Sequence, residues 1–227
     1  VADSALEGER FTMQSTGLRL TGELVARGTV SAVGGLVNIE AADELLLPAG
    51  TTVSSTVSVR LAVDVAVPDN DPGFGGTMTV RGAVDAPTVT LQGGANVDFI
   101  ELLSPLGINR LGVTVLAGGG GDDRFFLPVV AGATTVNTDE GADRVFVAGN
   151  ASKALFTSGG LYNDDSGADP FDRLAGDLSG ITAPVTVNFG TGGNGGTRDA
   201  FYIAAGGAAA LTGAVLAGGS FTGLGNG

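Results

Sequence analysis

The chain has 227 residues, 40 of them glycine, and a net charge of −13 from 24 acidic and 11 basic residues. It contains no cysteine, no histidine and no tryptophan, which excludes disulfides, zinc–thiolate sites and any Ser-His-Asp or Cys-His engine. So acidic a surface repels nucleic-acid phosphates and anionic membranes, and neither is expected as a partner.

Apolar residues make up 43 % of the chain and charged ones only 15 %, enough to bury a core rather than stay disordered. The glycines follow no G-X-Y period, so this is not collagen. No run of about 18 strongly apolar residues exists, so membrane insertion is not expected. The chain opens on Val1 and shows no signal peptide, which reads as a processed product or a piece of something longer.

Periodicity sets the class. From Leu18 to Ala32 the even positions are Leu18, Leu20, Gly22, Leu24, Ala26, Gly28, Val30 and Ala32. From Val57 to Val67 every odd residue is valine or leucine. Strict alternation rich in β-branched residues is the pattern of strands with one buried face. Pro68-Asp69-Asn70-Asp71-Pro72-Gly73 reads as a loop or boundary. It lacks the sixth-position glycine and closing glutamate of an EF-hand. Residues 204–218 are too rich in glycine for a helix. The expected class is all-β.

The second half carries a repeat. Gly93–Ile100, Gly118–Phe125, Thr138–Val145, Asp164–Phe171 and Gly192–Phe201 each place a glycine- or acid-rich turn before an aspartate and an apolar residue. Four of the five follow a short β run. The aspartates are Asp98, Asp123, Asp143, Asp169 and Asp199, spaced 25, 20, 26 and 30 residues apart. That spacing predicts a parallel β-helix (β-solenoid) with roughly 20–30 residues per coil, each coil burying its apolar edge on the next. Three segments are expected: an alternating strand-rich solenoid segment over 1–86, with a separate β-sandwich as its alternative; the Gly/Asp-turn solenoid over 87–203; and a Gly/Ala-rich terminal coil or contact segment over 204–227.

Gly118 to Phe126 resembles the nonapeptide G-G-x-G-x-D-x-U-x of haemolysin-type calcium-binding (RTX) repeats at every fixed position. Gly93 to Glu101 is similar, with Asn96 for the third glycine. Residues 138–146 and 164–172 are similar with aspartates replacing glycines. The resemblance implies a parallel β-roll whose turns bind calcium, with Asp98, Asp123, Asp143, Asp169 and Asp199 as the metal ligands. It departs from the family in having one copy per coil rather than tandem copies. The wide spacing also resembles the solenoid segments of filamentous-haemagglutinin-like adhesins, which implies an extracellular, cell-surface location.

The same corner has a mechanical reading. Gly, Asn and Asp tolerate left-handed backbone, and an aspartate after a turn often caps a backbone N–H. Calcium, which takes six to eight oxygen ligands, would relieve the repulsion of stacked aspartates. Of the 17 aspartates, 11 lie between residues 98 and 199, where the turns are. Arg124, Arg144 and Arg198 beside the repeat aspartates read as surface ion pairs. Gly118–Gly121 is not a phosphate loop, since no Gly-Lys-Ser/Thr follows.

The expected function is a structural or adhesive module of an extracellular bacterial surface protein or filament. Its expected partners are other copies, end to end, or a cell-surface or matrix component. An enzyme acting on polysaccharide is the rival, with Asp122/Asp123 or Asp164/Asp165 as acid and base. Sugar clefts use aromatic platforms, and here there is no Trp and there are only two Tyr. A calcium-triggered secretion and folding module is the third possibility.

Overall fold

The computed structural model describes residues 4–6, 11–13, 24–26, 28–65, 75–103, 113–154, 178–192, 199–203, 215–217 and 220–224. In chain order the strands are β1 (Ser4–Leu6), β2 (Phe11–Met13), β3 (Leu24–Ala26), β4 (Thr29–Ala32), β5 (Leu36–Glu40), β6 (Glu44–Leu47), β7 (Thr52–Ser55) and β8 (Ser58–Ala62). Next come β9 (Thr77–Val80), β10 (Ala83–Asp85), β11 (Thr88–Gln92), β12 (Phe99–Leu102), β13 (Val113–Ala117), β14 (Arg124–Leu127) and β15 (Ala133–Asn137). The last are β16 (Glu140–Gly141), β17 (Arg144–Val147), β18 (Val185–Asn188), β19 (Thr191–Gly192), β20 (Ala200–Ile203), β21 (Val215–Ala217) and β22 (Ser220–Leu224).

These strands form a parallel β-solenoid. Sheet A stacks β1-β3-β6-β9-β12-β14-β17-β20, sheet B stacks β2-β4-β7-β10, and sheet C runs β5-β8-β11-β13-β15-β18-β22-β21. All neighbours are parallel except β18–β22 and β22–β21. Eight sheet A strands at about 4.8 Å spacing span roughly 34 Å. Following one column, Ser4, Leu24, Leu45, Met78, Ile100, Phe125, Val145 and Phe201 lie on successive coils; Ser4 pairs Leu24 and the rest follow pairwise. Five of the seven steps are 20–25 residues, as the spacing predicts. The other two, Leu45 to Met78 and Val145 to Phe201, are longer, and each includes residues outside those described.

Sheet B ends at β10, just before residue 86, whereas sheets A and C continue past it. Ala86 lies between β10 and β11 of one coil, and sheets A and C run on to either side of it. The described strands β1, β3 and β6 lie in sheet A, and β5 and β8 in sheet C, with strands of the second half. Among the described residues, no helix is long and apolar enough to cross a membrane.

The core is built by alternation. Ile39, Leu61, Leu91, Leu116, Val136 and Val187 stack in register along sheet C and are all buried. Val30, Val53 and Val84 do the same in sheet B. Each such aliphatic side chain removed from water stabilises the fold by about 1.5–3 kcal/mol. The outer face of sheet C is polar: Arg60 Nε donates to Gln92 Oε1 at 3.0 Å, its Nη1 to Asn38 Oδ1 at 2.9 Å, and it pairs with Glu40.

A second cluster covers the outer face of sheet A. Phe126, Phe146 and Tyr202 stack with ring centroids 5.3 and 5.0 Å apart, and Phe99 lies 6.5 Å from Phe126. Ala148 and Ala151 are buried against them. Lys153, the only lysine, then crosses back over earlier coils. Its backbone N–H bonds to Glu101, and its Nζ bonds to Thr77 Oγ1 and sits 4.7 Å over the Phe99 ring. The segment after β17 thus straps coils begun by β9, β12, β14 and β17. At the far end the β21–β22 hairpin lies antiparallel on β18. It occupies the described part of the Gly/Ala-rich segment.

Phe146→Ala should lower stability by about 3–5 kcal/mol, as loss of a fully buried aromatic does. Lys153→Met should cost about 1 kcal/mol, the usual scale of a cation–π contact. Urea unfolding followed by circular dichroism separates the two.

Candidate functional site

Asp98, Asp123 and Asp143 sit where the chain leaves sheet C and enters sheet A. Gln92, Ala117 and Asn137 are aligned, and so are Phe99, Arg124 and Arg144. Six-residue corners, 93–98, 118–123 and 138–143, therefore stack one on another. Backbone bonds join them: Gly93 N–H to Ala117 O at 2.8 Å, Gly120 N–H to Gly94 O at 2.8 Å, and Glu140 N–H to Gly119 O at 3.0 Å.

The last residue of each corner forms one column: Asp43, Gly76, Asp98, Asp123, Asp143 and Asp199. Asp98 N–H donates to Asp123 Oδ1 at 2.8 Å, Asp123 N–H to Asp143 Oδ1 at 2.7 Å, and Asp143 N–H to Asp199 Oδ1 at 3.1 Å. Gly76 N–H donates to Asp98 Oδ1. The carbonyls face the same way: those of Gly76, Asp98, Asp123 and Asp143 accept from Phe99, Arg124, Arg144 and Ala200 N–H at 2.8–2.9 Å. Two consecutive residues of each coil thus satisfy both backbone groups of the column residue in the coil before it.

Asp98, Asp123 and Asp143 are 0 % exposed. The second oxygen of Asp98 accepts Gly94 N–H at 2.6 Å, whereas Oδ2 of Asp123 and of Asp143 is buried with no hydrogen-bond partner. Removal from water pushes all three carboxyls up, to about 7 for Asp98, about 9 for Asp123 and about 7 for Asp143. Backbone N–H donors oppose the rise in each. Neighbouring carboxylates add to it: Asp64 at Asp98, Asp98 and Asp143 at Asp123, and Asp199 and Asp122 at Asp143. Arg124 opposes it at Asp123 and Asp143.

Close approach explains the glycines. A Cβ on Gly118 would lie 2.1 Å from Asp123 Oδ2, and one on Gly93 would lie 2.3 Å from Asp98 Oδ2. Gly119 has a φ of +97°, and a Cβ there would meet Gly94 O at 2.0 Å.

The other corner acids also serve the backbone. Asp64, at φ +54°, accepts from Ala95 and Asn96 N–H at 2.9 and 2.8 Å. Asp122 Oδ1 accepts Ala142 N–H at 2.9 Å, and Asp139 Oδ2 accepts Gly119 N–H at 3.3 Å. Asp122 and Asp123 therefore work in different surroundings, the first on the exposed side and the second inside. Arg124 is no surface ion-pair residue. It is buried, with Nη1 donating to the carbonyls of Asp122, Asp123 (2.9 Å) and Ala142 (3.3 Å). Burial, then Arg144, lowers its pKa. An open groove of about 710 Å³ runs over the corners, lined by Gly94, Ala95, Gly119, Gly120, Asp139, Glu140 and Gly190.

Four of the five predicted residues, Asp98, Asp123, Asp143 and Asp199, come together in the column. The ladder passes from Asp143 directly to Asp199. Asp169 lies outside the described residues, as do Asp164, Asp165, Arg198 and Asp69-Asn70-Asp71. Asp43 belongs to the column and was not singled out; its signal is Leu45 two positions on, matching Ile100, Phe125 and Val145. Among the described residues no three His, Cys, Asp or Glu side chains gather so as to hold a metal ion. No family model, curated protein or solved structure matches the chain. The likeness to haemolysin-type repeats is carried by the corner sequence and the parallel solenoid alone.

Two outcomes follow from the column. Asp123→Ala strands the buried Asp98 N–H and should cost about 1–3 kcal/mol in urea unfolding. Asp123→Asn keeps an acceptor and should cost clearly less at neutral pH. Folded-state pKa values raised above the ordinary 3.8 mean that the folded chain binds more protons than the unfolded one. The protons' contribution to stability is fully present below pH about 4 and lost as pH rises through about 7 to about 9. With no His or Cys in the chain, little else titrates in that window. The melting temperature should fall steadily between weak acid and pH 9.

Proposed function

We propose that this chain is a structural module of an extracellular bacterial surface protein or filament. The observation supporting this reading is where the corner's polar groups go. The carboxylates of Asp64, Asp98, Asp122, Asp123, Asp139, Asp143 and Asp199 all accept hydrogen bonds from other coils, mostly from backbone N–H groups. A site for turnover keeps paired groups facing a substrate. Here Asp122 and Asp123, the pair suited to acid–base work on a sugar, are separated by burial. The acidic, glycine-cornered surface fits a scaffold that presents a long side to a cell-surface or matrix component. End-to-end assembly is the less favoured form, because the β21–β22 hairpin already occupies the sheet C edge beside β18.

Antibodies raised against the purified domain test the reading on cells of the source organism. Labelling of intact cells is the expected result. Labelling only after permeabilisation would overturn it.

A further inference from the structure

We infer that the Gly–Asp corner of this chain couples its coils without a metal ion, although its sequence resembles a calcium-binding turn. Three observations carry the inference.

The first is that one oxygen of each of four repeat aspartates is occupied. Oδ1 of Asp98, Asp123, Asp143 and Asp199 each takes a backbone N–H from the preceding coil. A cation bound in place of that donor would leave a buried N–H unpaired, a cost of the same size as the hydrogen bond it replaces.

The second is the space beside the remaining oxygens. Calcium takes six to eight oxygens at 2.3–2.6 Å and needs an open shell around it. The Gly118 Cα stands so close to Asp123 Oδ2 that a single added carbon would overlap it, and Gly93 does the same at Asp98 Oδ2. At Asp98 and Asp123 the corner backbone thus stands where part of an ion's oxygen shell would lie. At Asp98 the oxygen is further taken by Gly94 N–H.

The third is the outer rim. Asp64, Asp122 and Asp139, three further acids of the corners, likewise accept backbone N–H groups from neighbouring coils. They do not converge with one another among the described residues.

What the corner supplies instead is direction and register. Oδ1 of Asp98, Asp123, Asp143 and Asp199 serves the coil before it, so that coil is locked when the following one arrives in the correct alignment. A slip by one residue would carry the aspartate out of the column and expose the apolar residue two positions on.

The test uses the full chain in excess EDTA and in excess calcium chloride, with thermal melting by circular dichroism and calcium titration by calorimetry. A bound ion must raise the melting temperature, because it stabilises only the folded state. The expected result is a folded β spectrum in EDTA, the same melting temperature in both conditions and no saturable heat. Asp123→Asn, which keeps an acceptor but loses the charge, should also fold in EDTA. An unfolded chain in EDTA, or a saturable rise in melting temperature that Asp123→Asn abolishes, would overturn the inference. The surface reading above would stand in either case, since it does not depend on how the coils are coupled.

Discussion

In a parallel solenoid, a residue that ends a corner and begins a strand turns both its backbone N–H and its carbonyl toward the next coil. The carbonyl is easily served by the next strand's first N–H. The N–H has no matching carbonyl, because the opposing residue is still in the corner. A short side chain with an acceptor three bonds from Cα, placed at the same position of the next coil, closes this gap. Aspartate fits, and Asp98, Asp123, Asp143 and Asp199 each perform that task for the coil before them. The rest of the corner is arranged around the solution. Glycines at 93 and 118 let the backbone close over the carboxylates, and Arg124 folds back onto the corner carbonyls.

The arrangement has an electrostatic cost. Stacked carboxylates without water repel one another and resist ionisation. The structure offsets this unevenly. Asp98 receives two backbone N–H donors, Gly76 at Oδ1 and Gly94 at Oδ2. Asp123 lies between two carboxylates and has one oxygen without a donor, and it is the most strongly shifted of the three. The chain's lack of histidine and cysteine leaves these buried acids as its main titrating groups near neutrality.

How much of this was legible in the sequence depends on range. Alternation at Val57–Val67 identified a strand with one buried face, and β8 is there. The 25- and 20-residue steps from Asp98 to Asp123 and Asp143 match the coil register, in which β12 pairs β14 and β14 pairs β17. Asp169 carried the same local pattern of Gly, Asp and apolar residues, yet Asp143 pairs with Asp199. Turn composition is selected by any tight corner, so it cannot tell a rung from an excursion; only pairing does, and pairing is non-local. Asp43 was missed for the opposite reason, since Ala41-Ala42 stand where later corners have glycine. Arg124 was read as exposed because its position next to an aspartate suggested an ion pair. It is buried with Nη1 folded back onto the carbonyls of Asp122, Asp123 and Ala142, an arrangement no local pattern announces.

The central claim is that buried carboxylates hold the backbone of the preceding coil. Amide hydrogen exchange followed by NMR reads it at single sites. The N–H of Asp98 and of Asp123 should be among the slowest to exchange. Removing the carboxylate at Asp143 should release the Asp123 amide while leaving that of Asp98 protected. Fast exchange at both amides in the unaltered chain, or no change at Asp123 when Asp143 is replaced by alanine, would contradict the account.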